Sequence, residues 1–281
     1  MTRPSAWESI GEPIAKKYDM KGTRLDDAVA EQLGVSRSHA RSLILEGRVR
    51  VGGVPAQKAG ANVPPGAEIE VRRPRRFVSR GGEKLEAALE AFALDVAGVR
   101  ALDIGASTGG FTDCLLQRGA AHVTALDVGY GQLDWRLRND PRVTVMERTH
   151  ARNLPAEHFA LPFDLIVIDV SFISLHTILA SAIRFLTPAG RIVALVKPQF
   201  EAGRERLGRG GVVRDPEVHR AVLREVLGAA SALGLPPAAL IASPLTGPAG
   251  NREFLVELRR SGESLAEARI DEVVGEALSV P

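Results

Sequence analysis

Asp103-Ile-Gly105-Ala-Ser107-Thr-Gly109-Gly110 lies between an expected strand at 101–104 and an expected helix beginning at Gly110. Glycines at such a junction let the backbone approach a ligand, and the helix N-terminus offers free N–H groups. The spacing is neither the Gly-x-Gly-x-x-Gly of dinucleotide binders nor a phosphate loop ending in Gly-Lys-Ser/Thr. An acid leading the loop suits the ammonium of a methionine moiety better than a pyrophosphate. The next strand, at 122–127, closes on Asp127, where a carboxylate can accept hydrogen bonds from ribose hydroxyls. Asp103, Gly105, Ser107, Gly109, Gly110 and Asp127 are therefore the candidate cofactor residues.

Outward from this loop the same alternation continues. A helix is expected from Glu83 and a short one at 133–137. Strands are expected at 143–146, 165–169 and 192–197, a long helix at 216–233, and late strands at 239–242 and 253–258. This is the pattern of a doubly wound α/β fold with a mostly parallel sheet. Four charged residues end or follow these strands or open a helix: Lys84, Asp169 in Ile168-Asp-Val-Ser-Phe172, Lys197 in Val196-Lys-Pro-Gln-Phe200, and Glu253. Asp169 and Lys197 emerge at the carboxyl edge of the sheet, where ligands bind in such folds. Between them and the long helix, residues 203–215 mix glycines with Arg204, Arg206, Arg209 and Arg214, and are expected to form a mobile flap over the substrate.

The N-terminal part has a different grammar. Leu25, Val29 and Leu33 recur at helical spacing before Gly34, and Ser36 caps a second helix carrying Ala40, Leu43 and Ile44. Alternating segments at 48–51 and 68–71 flank the Gly52-Gly53 turn. Arg37, Arg41, Arg48 and Arg50 crowd one surface in this arrangement. Arg72-Arg-Pro-Arg-Arg76 then reads as a basic interdomain linker.

Charge divides accordingly, with residues 1–80 carrying a formal +6 and residues 81–281 a formal −4. The first segment is thus the candidate for an anionic partner. The single cysteine, Cys114, allows neither an internal disulfide nor a thiolate zinc cluster. No apolar run approaches the roughly 18 residues that span a bilayer, and residues 1–20 lack a signal-peptide core. A cytoplasmic protein is expected.

Two resemblances sharpen this reading. Arg24-Leu-Asp26, Ser36-Arg37, Ala40 and Glu46-Gly-Arg-Val49 resemble the small RNA-binding domain first recognised in a small-subunit ribosomal protein. Phe77-Val-Ser-Arg-Gly-Gly-Glu-Lys-Leu85, the loop from Asp103 to Phe111, Asp169-Val-Ser-Phe-Ile173, Val196-Lys-Pro-Gln-Phe-Glu201 and Gly250-Asn-Arg-Glu-Phe254 closely resemble the TlyA group of ribosomal RNA methyltransferases, also labelled haemolysins. The resemblance implies a Rossmann-like class I methyltransferase fold and methylation of cytidine ribose 2′-hydroxyls with S-adenosylmethionine. The partner it implies is ribosomal RNA in the small subunit, the large subunit or both. Lys84, Asp169, Lys197 and Glu253 match the Lys-Asp-Lys-Glu tetrad of the related FtsJ-like enzymes. One departure is Gly82-Glu83, where the pattern has an Ala-His-like pair.

The expected organisation is an N-terminal extension (1–22), an RNA-binding domain (23–72), a basic linker (73–80), a methyltransferase domain (81–262) and a C-terminal extension (263–281). Arg24, Arg37, Arg41, Arg48, Arg72, Arg73, Arg75 and Arg76 are the expected RNA contacts, sequence-independent where they meet phosphate.

A sulfonium-bound methyl is already electrophilic, so the remaining tasks are in-line positioning and removal of the hydroxyl proton, which need no metal. Lys197 is the candidate base. A lysine's ordinary pKa of about 10.4 must fall for that role, and a neighbouring cation lowers it while neighbouring acids raise it. Two other classes remain open: a membrane-acting cytolysin, which needs an amphipathic or spanning segment, and a non-catalytic RNA-binding assembly factor.

Overall fold

A computed structural model describes residues 14–18, 22–72, 76–153, 159, 161–247 and 249–279. The chain divides into two compact units, Met1–Arg76 and Phe77–Pro281.

The first unit contains β1 (Ile14–Tyr18), α1 (Leu25–Leu33), α2 (Arg37–Leu45), β2 (Val49–Val51), β3 (Val54–Pro55) and β4 (Ala67–Val71). Its antiparallel strands lie in the order β1-β4-β2-β3. Gly34 ends α1 in the left-handed region at φ 65°, and the Ser36 hydroxyl accepts a hydrogen bond from His39 N–H at 3.2 Å to start α2. Leu25, Val29, Leu43 and Ile44 pack against Val49, Ile69 and Val71. Part of the expected N-terminal extension enters this sheet as β1. Its Tyr18 hydroxyl donates to Ala28 O at 2.7 Å. Only one of its five residues is buried, so it carries no alternating apolar signal.

The second unit runs α3 (Arg80–Ala91), β5 (Arg100–Ile104), α4 (Gly110–Gln117), β6 (His122–Leu126), α5 (Trp135–Arg138), β7 (Val143–Met146), β8 (Phe163–Ile168), α6 (Leu175–Ala182), β9 (Leu186–Val196), α7 (Pro198–Glu201), α8 (Pro216–Ala232), β10 (Pro237–Ala242), β11 (Phe254–Arg259) and α9 (Ala268–Ser279). The sheet order is β10-β11-β9-β8-β5-β6-β7. Strands β5 to β9 are parallel to their neighbours, whereas β11 is antiparallel to both β9 and β10. This is a Rossmann-like doubly wound sheet.

Side chains alternate between two cores, as strands covered on both faces require. Leu102, Ile104, Ile166 and Ile168 face α6, α8 and α9, while Ala101, Val123, Val167 and Leu195 face α3 and α4. The expected C-terminal extension is part of the first of these cores through Ile270, Val273, Val274 and Ala277 of α9.

The chain lays down β5, β6 and β7 outward, then returns to place β8 on the other side of β5. That reversal opens a crevice beyond the carboxyl ends of β5 and β8.

Candidate active site

At this crevice the backbone is too close for a side chain. Gly105 has φ 88°, and a Cβ there would collide with the Asp169 carbonyl oxygen. Gly109, at φ 95°, is likewise hemmed in by Leu137 and Leu133. Asp127 fastens the loop from the neighbouring strand. Its Oδ2 accepts from Ser107 N–H at 2.8 Å and its Oδ1 from Gly129 N–H at 2.7 Å. A cavity of about 750 Å³ opens there, walled by Gly105, Ser107, Asp127, Gln132, Thr149, His150 and Asp169 together with Ile104, Leu126, Val128 and Ile178.

Asp103 departs from its expected position. It is fully buried, shares the face of β5 that looks toward α4, and accepts a hydrogen bond from the Thr112 hydroxyl at 2.7 Å. Its other oxygen has no hydrogen-bond partner among the described residues. Burial above all, with the charges of Asp169 and Asp127 adding to it, pushes its carboxyl up to about 7 against the Thr112 hydrogen bond. Asp103 thus supports the loop from beneath and is not a wall of the cavity. Gly109 and Gly110 are also outside the wall. The space beside Gly110, where a Cβ would stand, is taken by the Ser79 hydroxyl.

The four charged residues form two pairs at the same edge of the sheet. Lys197 Nζ lies 2.5 Å from Asp169 Oδ1, and its hydrogen bond goes to the Ser171 hydroxyl at 3.0 Å. Asp169 meets the amine through this close ion pair. Lys84 Nζ lies 2.5 Å from Glu253 Oε2, with both side chains nearly sealed from solvent. Strand register explains the convergence. Ile168 pairs with Ala194 in parallel and Phe254 with Val196 antiparallel, so the residues just beyond, Asp169, Lys197 and Glu253, share one rim. Lys84 joins them from near the start of α3, just past its first turn. At Gly82 a Cβ would strike the Phe77 side chain where it now stands.

In the N-terminal unit, buried Asp26 is held down to about 2 chiefly by its hydrogen bond from Arg24, and also by Arg37. Arg24 and Arg37 therefore stand in fixed, half-exposed positions. Arg37 and Arg41 line one hollow with Ser38, Ser42 and Leu45. Arg48 pairs with Glu46 at 2.5 Å, and Arg72 N–H donates to Arg48 O. Arg76 is exposed, whereas Arg73 and Arg75 lie outside the described residues.

The FtsJ-like methyltransferase family matches residues 77–260, a span that contains the cavity and both lysine–acid pairs. The chain belongs to the FtsJ-like methyltransferase family. Its N-terminal unit matches the S4 domain over residues 23–69. The chain is 48% identical to the 16S/23S rRNA (cytidine-2'-O)-methyltransferase TlyA of Mycobacterium tuberculosis, over 90% of this chain and 96% of the relative. It is 42% identical to Hemolysin A of Brachyspira hyodysenteriae, over 83% and 98%. A solved structure described as "Putative hemolysin from Streptococcus thermophilus" superposes with a TM-score of 0.71 at 42% identity, covering 92% of this chain and 96% of that one. No helix among the described residues is long and apolar enough to cross a membrane.

The methyltransferase unit holds features that the sequence does not signal. Phe172 is 89% exposed and has φ 64°, a left-handed backbone that a bulky side chain rarely adopts. Its ring stands 4.7 Å from that of Phe200, at the mouth of the cavity. Both phenylalanines belong to motifs quoted above, but exposure is not readable from residue type. Residues 203–215, expected to form a flap, are anchored at several points in this structure. Arg206 pairs with Glu225 at 3.0 Å, Val213 is buried, and Asn251 bonds both Gly211 O and Val213 N–H. The loop is docked through these contacts.

Proposed function

We propose that this chain transfers the methyl group of S-adenosylmethionine to the ribose 2′-hydroxyl of a cytidine in ribosomal RNA within ribosomal subunits, and that it does so in the cytoplasm. The observation that carries this reading is the pair of lysine–acid contacts on one rim of the sheet, with Asp169 itself a wall of the cavity. The name of the M. tuberculosis relative supports the substrate.

The residues present fit the cofactor. The cavity has the size of a small-molecule site, an apolar strip at Leu126 and Val128, and the Asp127 carboxylate beside backbone kept bare by Gly105. Each Asp127 oxygen keeps a lone pair beyond its backbone bond, so the carboxylate can accept hydrogen bonds from the cofactor's ribose. Gly105 and Ser107 bring main chain against the methionine side. When bound, S-adenosylmethionine supplies an electrophilic methyl group.

Lys197 Nζ binds the 2′-hydroxyl and takes its proton. Asp169 and Ser171 hold that amine at the rim of the cavity. Lys84, fixed by Glu253, is a buried cation that positions the nucleotide. The exposed Phe172 ring, set against the partly buried Phe200, offers a stacking face for the substrate base. Arg24, Arg37, Arg41, Arg48, Arg72, Arg73, Arg75 and Arg76 bind phosphates, with residues 23–72 as the RNA-binding domain. The expected linker 73–80 runs into the second unit, whose buried Phe77 and the first residue of α3, Arg80, fall inside it.

The test is methyl transfer from labelled S-adenosylmethionine to purified small and large subunits, with 2′-O-methyl mapping on both RNAs. Label on cytidine ribose supports the reading, and label on bases or none on either RNA refutes it.

A further inference from the structure

We propose that Asn251 is a positioning residue that couples RNA binding at the arginine loop to the placement of Glu253 against Lys84. This rests on the catalytic reading of Glu253 given above.

Asn251 is 3% exposed and uses both ends of its amide on the loop. Its Nδ2 donates to Gly211 O at 3.1 Å, and its Oδ1 accepts from Val213 N–H at 2.9 Å. Its own carbonyl accepts from Gly247 N–H at 2.8 Å, which closes the turn leading into β11. Glu253 is then held on two sides. Its backbone oxygen accepts from Ser243 N–H at 2.8 Å, and its Oε1 occupies the space beside Gly247, 2.7 Å from where a Cβ would stand. Oε2 meets Lys84. One buried amide therefore joins the loop, the turn and the carboxylate.

The loop side of this junction is suited to RNA. Arg209 and Arg214 are exposed and make no ion pair among the described residues. A phosphate drawn to them bears on the segment that Asn251 grips. Binding energy collected there is transmitted to the geometry of the Glu253–Lys84 pair, so it appears in the rate as well as in affinity.

The test uses the full chain, ribosomal subunits and single-turnover methyl transfer at saturating RNA and cofactor. Asn251→Asp keeps the acceptor for Val213 but turns an oxygen toward Gly211 O. Gly247→Ala leaves both loop bonds in place and pushes Glu253 Oε1 aside. Both are expected to slow transfer by up to about a hundredfold, the scale of a misplacement of about 1 Å, with cofactor affinity unchanged; Asn251→Asp also lowers the melting temperature because it buries a carboxylate against Gly211 O, and Gly247→Ala, which keeps the loop bonds, separates the rate effect from that loss. Replacing Arg209 and Arg214 by alanine should lower rate and RNA affinity in the wild-type chain, but affinity alone in the Asn251→Asp background. A wild-type rate in both Asn251→Asp and Gly247→Ala, or equal effects of the arginine changes in the two backgrounds, overturns the coupling. Glu253→Gln is the control for the underlying reading: a wild-type rate in that variant overturns the catalytic assignment itself.

Discussion

Lys197 and Asp169 meet as a 2.5 Å ion pair across the ends of β9 and β8, 12% and 24% exposed. Each is the first residue past its strand, so the parallel register of the sheet sets their separation. Asp169→Asn keeps the shape and removes the charge that orients the amine. The expected result is a clear loss of single-turnover rate with cofactor affinity retained, checked by rapid-quench methyl transfer beside calorimetry.

Asp127 and Asp103 should part company on mutation. Asp127 walls the cavity and fastens Ser107 and Gly129, so Asp127→Ala is expected to weaken S-adenosylmethionine binding strongly. Asp103 lies beneath the loop, so Asp103→Ala is expected to lower the melting temperature and affect cofactor binding less. Calorimetry and thermal melts on both variants check this.

Asp103 also gives a signed pH effect. Its folded carboxyl sits at about 7 against an ordinary 3.8, so between those values the folded chain holds a proton that the unfolded chain has released. Stability from this group is therefore greatest near the acid end of the window and falls as pH rises through about 7. Asp103→Asn keeps an oxygen for Thr112 and has no proton to lose. Its stability relative to wild type should rise from about pH 5 to about pH 8, as read by urea unfolding, whereas parallel profiles would contradict the burial argument.

Much of this site was legible because strand ends are legible. Asp169 and Lys197 close apolar runs that only a buried parallel strand explains, and the register does the rest. Asp103 misled because the acid opening a glycine loop suggests a ligand contact, while alternation along β5 turns that side chain toward Thr112. Asn251 stands in a quoted motif, but its role was silent because its side-chain partners are backbone groups about forty residues away, which no local pattern encodes. In α9, Ile270, Val273, Val274 and Ala277 do follow a helical period, but the family resemblance stops before them.

Deleting residues 1–76 cuts the chain where the two compact units meet and leaves the buried Phe77 in place. The remaining unit is expected to fold and bind cofactor but to modify ribosomal RNA poorly. Its salt dependence of RNA binding should flatten by about 0.7–0.9 in log–log slope for each phosphate that the deleted arginines and lysines neutralise in the full chain. Filter binding across a salt series checks both affinity and slope.

The most direct test of the account is the single-turnover rate of Lys197→Ala and Lys197→Arg on purified subunits. Removing a general base typically costs about 10²–10⁴ in rate, so Lys197→Ala should fall by that order while cofactor and RNA still bind. Lys197→Arg should be nearly as slow, because a guanidinium with a pKa above about 12 keeps the charge beside Asp169 but cannot take the hydroxyl proton at neutral pH. A near-wild-type rate in the arginine variant would contradict the account and leave Lys197 as a positioning charge, with the proton going elsewhere.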